Sequence, residues 1–267
     1  MFKPVIKGVI RFSYPSEGGF AKEFATQAEH EEFLFNRTRL ERRFALFEKL
    51  TLPSLRSQVD KHFHLAVLTG ENLPDWAFDR LQAGLTDLPQ AKIIQLPRIN
   101  HYPATRAAFE SLPDDGATHV AGFRLDDDDA LGSHVIQRIR QISMKMSEIA
   151  DTSQPFGISF NRGYFLTLSD KGNRLTEVRE RAPIGIGLTL VVPIQQRSNI
   201  FRRNHRLLHQ FYDCFTDVSA PMFIRTVHAD NDSGAVSTGT AKDVAEIAID
   251  ENVLSGFGLD PQMLKDL

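Results

Sequence analysis

Two features of this 267-residue sequence predict an α/β fold built on a mostly parallel sheet. In the first half, short apolar runs alternate with segments that carry apolar residues at helical spacing, and the connections between them are short. The run Asp126-Asp127-Asp128-Asp129 directly follows the fourth apolar run. The crossover connections of strand–helix units are right-handed, so the carboxyl ends of the strands lie along one edge of the sheet, where ligands bind.

The first half predicts strands bounded by turn residues and helices bounded by prolines. A helix carrying Leu40, Phe44, Phe47 and Leu50 is expected to end before Pro53. The predicted strands are residues 5–12, 63–69, 91–96 and 119–125, and the other predicted helices are residues 75–85, 104–112 and 133–149.

The second half has a different pattern, in which short strand-like segments are interrupted by glycine and proline. These segments are residues 156–160, 163–168, 188–193 and 222–227, and they predict a mixed or antiparallel arrangement. Between them, residues 198–206 crowd basic and polar side chains at the start of an expected helix that runs through Phe211. The last strand would deliver His228, either as a metal ligand or as an exposed loop histidine.

Composition excludes several classes of protein. The formal net charge of −3 gives no overall basic character, so nucleic acid is not an expected partner. Cys214 is the single cysteine, which excludes a disulfide framework or a cysteine-based zinc site and favours a reducing cytoplasm. We also expect no membrane span, because no stretch approaches about 20 apolar residues, and no signal peptide at the start.

The acidic run is the main candidate for chemistry. Adjacent carboxylates about 4 Å apart repel by roughly 1 kcal/mol in water and about 4 kcal/mol near a protein surface, so such a run either stays open to solvent or holds a cation. Oxygen ligands at a sheet edge suit Mg²⁺ or Mn²⁺ carrying a substrate phosphate. Strand alternation predicts that Asp126 and Asp128 share one side and that Asp127 faces away, while Asp129 is expected to cap the following helix. The alternative is a solvated acidic loop.

Other motifs with similar residues do not fit. The run lacks the glycine and the bidentate glutamate of a calcium-binding helix-loop-helix, and the sequence contains no phosphate-binding P-loop. Gly185-Ile186-Gly187 lacks the third glycine of a dinucleotide fold, and His30-Glu31-Glu32 lacks the second histidine of a zincin.

An ordered set of segments resembles the bacterial rhamnosyltransferase family, whose members have the GT-A fold of nucleotide-diphospho-sugar transferases. The resemblance runs over nearly the whole chain. The segments are Arg11-Phe12-Ser13, Arg39-Leu40-Glu41-Arg42-Arg43-Phe44, Leu52-Pro53-Ser54-Leu55 with Gln58, and residues 123–131 around the acidic run.

The resemblance implies a single GT-A domain over residues 1–267, with residues 1–131 as the nucleotide- and metal-binding half and residues 132–267 as the acceptor-side half. It implies transfer of a sugar, with rhamnose as a candidate, from a dTDP- or UDP-sugar to a hydroxyl of a glycan or glycolipid, in the making of a bacterial surface polysaccharide. The implied metal ligands for Mn²⁺ or Mg²⁺ are Asp126, Asp128 and His228. The implied donor-binding residues are Arg11, Arg39, Arg43, Arg106, Asp126 and Asp127.

An inverting transferase also needs a general base, and the candidates are His205 and Asp230; a retaining enzyme can leave the proton to the departing phosphate. Two other functions stay open from the sequence. A phosphohydrolase of the haloacid dehalogenase type uses an Asp-x-Asp motif after its first strand, whereas three strand–helix units precede the motif here. A sugar-nucleotide-binding module without catalysis would keep the fold and the site but show no turnover.

Overall fold

The computed structural model describes residues 1–18, 24–228, 239–242 and 244–267, with Lys242 described by its backbone alone. Within these residues the strands, in chain order, are β1 Pro4–Arg11, β2 His64–Gly70, β3 Ala91–Leu96, β4 His119–Asp126, β5 Ala130–Leu131, β6 Phe156–Phe160, β7 Arg162–Thr167, β8 Arg174–Arg179, β9 Thr189–Pro193, β10 Asp213–Asp217, β11 Phe223–Val227 and β12 Thr240–Lys242. The helices are α1 Gln27–Phe35, α2 Arg37–Leu46, α3 Leu52–Arg56, α4 Asp75–Leu85, α5 His101–Glu110, α6 Val135–Met146, α7 Glu246–Phe257 and α8 Pro261–Lys265.

The strands form two sheets. The large sheet has the order β10-β6-β9-β4-β1-β2-β3, and the small sheet has the order β12-β8-β7-β11-β5. The four strands of the first half pair in parallel, and β1 lies between β4 and β2. These strands have near-continuous apolar sequences because the large sheet is covered on both faces. The predicted α/β class and its parallel first half are confirmed.

The second half of the chain is mixed, as its sequence pattern predicts. Strand β9 pairs antiparallel with both β4 and β6, whereas β10 is parallel to β6. In the small sheet, β7 is parallel to β11 and antiparallel to β8, and β5 pairs antiparallel with β11.

Each face of the large sheet has its own core. On one face, α2 and α6 contribute Leu40, Phe44, Ile136 and Ile139 to a cluster that contains Ile6 and Ile10 of β1. On the other face, Val9 of β1 packs with Ala104, Ala108 and Phe109 of α5 and with Phe201. This alternation along β1 and β4 places successive side chains at the strand ends on opposite faces.

Several sequence-based expectations differ from the structure. The helix does not end before Pro53: a π-helical turn, Phe47–Thr51, joins α2 to α3 and accommodates a proline that has no N–H to donate. Residues 198–211 form short 3₁₀ turns, Ile200–Arg202 and His205–Gln210, and not the expected helix. The sequence patterns do not predict α1, α7, α8, β5, β8, β10 or β12.

In the described residues, no helix combines the length and the apolar character needed to span a bilayer.

Candidate active site

The acidic run is the connection between the two sheets. Strand β4 of the large sheet ends at Asp126, and β5 of the small sheet begins at Ala130. Strand β11 pairs with β5, and its end leads directly to His228. Arg11, the last residue of β1, is the register partner of Asp126. Three strand ends from two sheets therefore meet at this segment.

Asp126 lies between two arginines on the face of the large sheet that carries α5. Its Oδ1 is 3.3 Å from Nη2 of Arg11, and its Oδ2 is 3.2 Å from Nη2 of Arg124. Burial raises the pKa of Asp126, but the Arg124 and Arg11 guanidiniums outweigh burial and hold that pKa far below its ordinary value. Asp126 is therefore ionised at neutral pH, and its side chain remains 32% exposed.

Asp127 and Asp128 share a different arginine, Arg43 of α2. Nε of Arg43 donates to Oδ2 of Asp127 at 3.2 Å, and Nη1 donates to Oδ2 of Asp128 at 2.8 Å. Nε2 of His228 lies 3.0 Å from the same Oδ2 of Asp128. Because β4 ends at Asp126 and the chain then turns, Asp128 pairs with Asp127 through Arg43, contrary to the expected grouping of Asp128 with Asp126.

Asp129 has a structural role. Its Oδ1 accepts a hydrogen bond of 3.0 Å from the backbone N–H of Thr226 in β11. It does not cap the following helix as expected, since α6 begins only at Val135 and has His134 at its N-cap position. Burial, followed by the carboxylates of Asp128 and Asp126, raises the pKa of Asp129 well above its ordinary value. Asp129 is the residue of the run that most readily holds a proton.

An aromatic wall faces the two arginines that bind Asp126. The ring centroid of Phe201 lies 5.0 Å from Cζ of Arg124 and 5.9 Å from Cζ of Arg11, and the ring of His101 packs edge-on to it at 5.3 Å. Burial, followed by the charges of Arg11 and Arg124, lowers the pKa of His101 to about 3. Burial and Arg124 lower the pKa of His205 to about 4. Both imidazoles are therefore neutral at neutral pH.

The structure does not gather all the sequence-predicted residues. Arg39 is 6% exposed and donates to Oγ of Ser13 and to the carbonyl of Leu34, so it packs within the protein. Arg106 pairs with Glu110 of the same helix at 3.7 Å and lines a different cavity, of about 200 Å³. Asp230 lies outside the described residues.

The predicted metal ligands fit a divalent cation in part. In the described ranges, no three His, Cys, Asp or Glu side chains are arranged to hold a metal ion. Asp128, in the link between β4 and β5, and His228, after β11, do converge, at 3.0 Å. Two protein ligands suit Mg²⁺ or Mn²⁺ when the remaining positions are taken by water and by phosphate oxygens of a substrate.

Arg124, His101 and Phe201 were not predicted from the sequence. A signal for Arg124 was present, because a residue two positions before Asp126 in a strand lies on the same face of the sheet. No comparable signal existed for Phe201, which reaches the site from a 3₁₀ turn distant in sequence.

Among solved structures, the chain is similar to TarS of S. aureus. The structure of TarS residues 1–349 in complex with UDP-GlcNAc is 10% identical over 88% of this chain and 62% of that one, with a TM-score of 0.46. The same TarS fragment in complex with UDP is 11% identical over 84% of this chain and 60% of that one, also with a TM-score of 0.46. The chain thus spans about three fifths of these relatives.

A search of curated protein sequences found no match. The sequence model of one family, described as "Putative rhamnosyl transferase", matches residues 5–240. This match covers most of the chain, including β1, the acidic run and β11. It agrees with the family resemblance that the sequence analysis drew from the segments around Arg11, Arg43 and Asp126. The chain therefore belongs to this family.

Proposed function

We propose that this protein transfers a hexose, with rhamnose the first candidate, from a dTDP- or UDP-sugar to a hydroxyl of a glycan or glycolipid, within a GT-A arrangement. The observation that carries the proposal is the meeting of Asp128, His228 and the arginines at one sheet edge. The free thiol of Cys214 agrees with a reducing cytoplasm as the compartment. The product would contribute to a bacterial surface polysaccharide.

The reaction makes one bond and breaks one. The acceptor oxygen bonds to the anomeric carbon, the bond from that carbon to the β-phosphate oxygen breaks, and the nucleoside diphosphate leaves with the electron pair. Negative charge therefore grows on the diphosphate as the sugar departs. Catalysis of this step requires positive charge placed in advance where that charge develops.

Asp128 and His228 are the residues that would hold a divalent cation, Mn²⁺ or Mg²⁺. The carboxylate of Asp126, which the family resemblance implies as a further ligand, lies instead 3.3 Å from Arg11 and 3.2 Å from Arg124. A bound cation would supply charge to the leaving diphosphate without any transfer of a proton. Arg43 then has a supporting role, because it fixes the Asp128 carboxylate from the α2 side at 2.8 Å.

His205 is the candidate base within the described residues. Its pKa of about 4 makes the imidazole neutral at pH 7, so it has a free ring nitrogen for the acceptor proton, although it is a weak base. Part of that depression comes from the charge of Arg124. A diphosphate bound beside Arg124 would offset this charge and raise the pKa of His205 toward its ordinary value, so donor binding would strengthen the base. Asp230 is the other candidate.

The test combines binding with turnover. We would measure the melting temperature with UDP, dTDP, GDP and CDP, each with and without Mn²⁺, and then the release of nucleoside diphosphate from the corresponding rhamnose and glucose donors. A ligand at about 100 times its Kd stabilises the folded state by about 2.7 kcal/mol, which is an easily detected rise in melting temperature. We expect one nucleotide to give a Mn²⁺-dependent shift, and Asp128→Ala to abolish both the shift and the turnover.

The matched control is Glu251→Ala, which removes an exposed carboxylate from α7. It should leave shift and turnover unchanged. The absence of a shift with every nucleotide, or release of inorganic phosphate from a generic phosphate ester with no dependence on nucleotide, would overturn the proposal. Binding without turnover toward any acceptor would favour the non-catalytic module.

A further inference from the structure

Arg124 occupies a space that the neighbouring chain leaves for it. A Cβ atom on Gly185 would lie 2.9 Å from Cζ, 3.0 Å from Nε and 3.1 Å from Nη2 of Arg124, so the guanidinium packs directly on the glycine backbone. The Phe201 ring, 5.0 Å away, and the Asp126 carboxylate complete its surroundings. The Arg124 side chain is only 14% exposed. This arginine is therefore held in one place by packing.

The backbone that follows Gly185 is hydrogen-bonded to both backbone polar groups of Arg124 in β4. The N–H of Gly187 donates to the carbonyl of Arg124 at 3.0 Å, and the N–H of Arg124 donates to the carbonyl of Leu188 at 3.1 Å. Gly187 adopts a φ of +68°, which favours glycine. The two glycines, which fit no dinucleotide motif, thus have separate explanations: Gly185 makes room for the Arg124 guanidinium, and Gly187 adopts a backbone conformation that favours glycine.

The charges around Arg124 are unbalanced. Arg11 and Arg124 share the single carboxylate of Asp126, while Asp127 and Asp128 are already engaged by Arg43. Nε of Arg11 and Nε of Arg124 are both buried and have no hydrogen-bond partner among the described residues. Two largely buried cations with one shared anion are costly unless further negative charge arrives. The same excess contributes, after burial, to the low pKa of His101 and of His205.

We propose that Arg11 and Arg124 form a clamp for the diphosphate of the donor, and that Asp126 is a positioning residue for this clamp and not a metal ligand. The inference rests on the proposed function, since the diphosphate is that of the sugar nucleotide. Guanidinium groups suit this ligand because they bind phosphate oxygens in a bidentate manner. Before the donor arrives, Asp126 holds the two arginines side by side; afterwards it competes with the diphosphate for them.

If Asp126 positions the clamp and binds no metal ion, Asp126→Asn should raise the affinity for a diphosphate instead of lowering it. Binding of inorganic pyrophosphate would be measured by titration calorimetry in EDTA, with no divalent cation present. The clamp predicts measurable binding by the wild type and binding that is several-fold tighter in Asp126→Asn, since the competing charge is gone. Arg124→Gln and Arg11→Gln should each weaken binding by tenfold or more. A metal-ligand role predicts no such gain for Asp126→Asn in EDTA.

Gly185→Ala tests the enclosure without changing any charge. The added methyl group displaces the Arg124 guanidinium, so pyrophosphate affinity should fall by about tenfold while the melting temperature stays within a few degrees of that of the wild type. Gly256→Ala in α7 is the matched control, because a Cβ there meets no atom within 4 Å, and it should bind as the wild type does.

The outcomes separate this inference from the proposed function. Pyrophosphate binding that requires Mn²⁺ and is weakened by Asp126→Asn would overturn the clamp while leaving nucleotide-sugar transfer intact. Absence of pyrophosphate binding with and without Mn²⁺ also overturns the clamp; if no nucleotide then shifts the melting temperature, the proposed function fails with it. Unchanged binding in Arg124→Gln, in Arg11→Gln and in Gly185→Ala would likewise exclude the clamp.

Discussion

The two ends of the parallel strands distribute charge in opposite ways. Around the amino ends of β1 and β2, the basic side chains bind different acids: Lys7 binds Asp114 at 2.5 Å, His64 lies 2.6 Å from Asp115, and Arg140 binds Asp60 at 2.7 Å. At the carboxyl ends, partners are shared, since two arginines bind Asp126 and one arginine binds both Asp127 and Asp128.

This difference separates structural charges from functional ones. A cation with its own partner completes its interactions when the protein folds. Where charged groups share a partner, some of their hydrogen-bonding capacity is left for a ligand. Two of the acids at the carboxyl ends are also deeply buried, with Asp127 2% and Asp128 5% exposed. We therefore expect substitutions at the carboxyl ends to have the larger and more ligand-dependent effects.

The largest effect on stability is expected for Arg43→Leu. The substitution leaves two buried carboxylates without their arginine, which should lower the free energy of unfolding by about 3–5 kcal/mol at pH 7 in a urea titration. Without Arg43, burial would raise the folded-state pKa of Asp128, so the deficit should shrink as the pH is lowered below about 5. Arg56→Leu is the control, because its partner Asp87 is 65% exposed, and it should change little. Equal effects would contradict the comparison.

A smaller loss is expected for Lys7→Met. Nζ of Lys7 donates to the carbonyl of Leu112 at 2.8 Å as well as to Asp114, and the lysine is 2% exposed. Methionine preserves most of the volume but leaves a buried carbonyl at the end of α5 without its donor, which should cost about 2–3 kcal/mol in the same titration. Pyrophosphate affinity should be unchanged, and a tenfold loss of affinity would show that the two ends are not independent.

The smallest loss is expected for Asp60→Asn, about 1–2 kcal/mol at pH 7. Burial raises the pKa of Asp60, but the hydrogen bonds from Arg140 and from the His62 N–H together outweigh burial. The pKa of Asp60 therefore lies below its ordinary value. A lowered folded-state pKa gives stability that is present above the unfolded value, about 3.9, and is lost as the pH falls through the folded value. The wild-type and variant curves should therefore converge at low pH. A constant difference down to pH 2 would exclude this origin.

The sequence predicted the first half of the fold well, because alternating strands and helices produce strong periodic patterns. Strands β1 to β4 lie within one residue of their predicted bounds, and α4 matches its prediction. Helix α1 was missed because its apolar residues follow no clear helical face, and β10 was missed because it is a short edge strand with mostly exposed side chains.

The site was predictable where function follows from position at a strand end. Arg11, Asp126 and His228 end or follow strands, and the structure brings them to one edge. Arg39 and Arg106 were grouped with them through the family resemblance, but both lie on helices and contact Ser13 and Glu110 instead. The enclosure of Arg124 by Gly185 depends on a contact between residues distant in sequence, which no local pattern encodes. Whether the grouped residues bind the donor remains a prediction.

The link between the two sheets is too short to accept an inserted residue. Only three residues separate the last residue of β4 from the first of β5, and Ala130 and Leu131 are both fully buried. One added residue would shift their register against β11 and exchange the faces of their side chains. The number of residues in the acidic run is therefore constrained as tightly as their identity, and we expect the insertion or deletion of one residue here to disrupt the site.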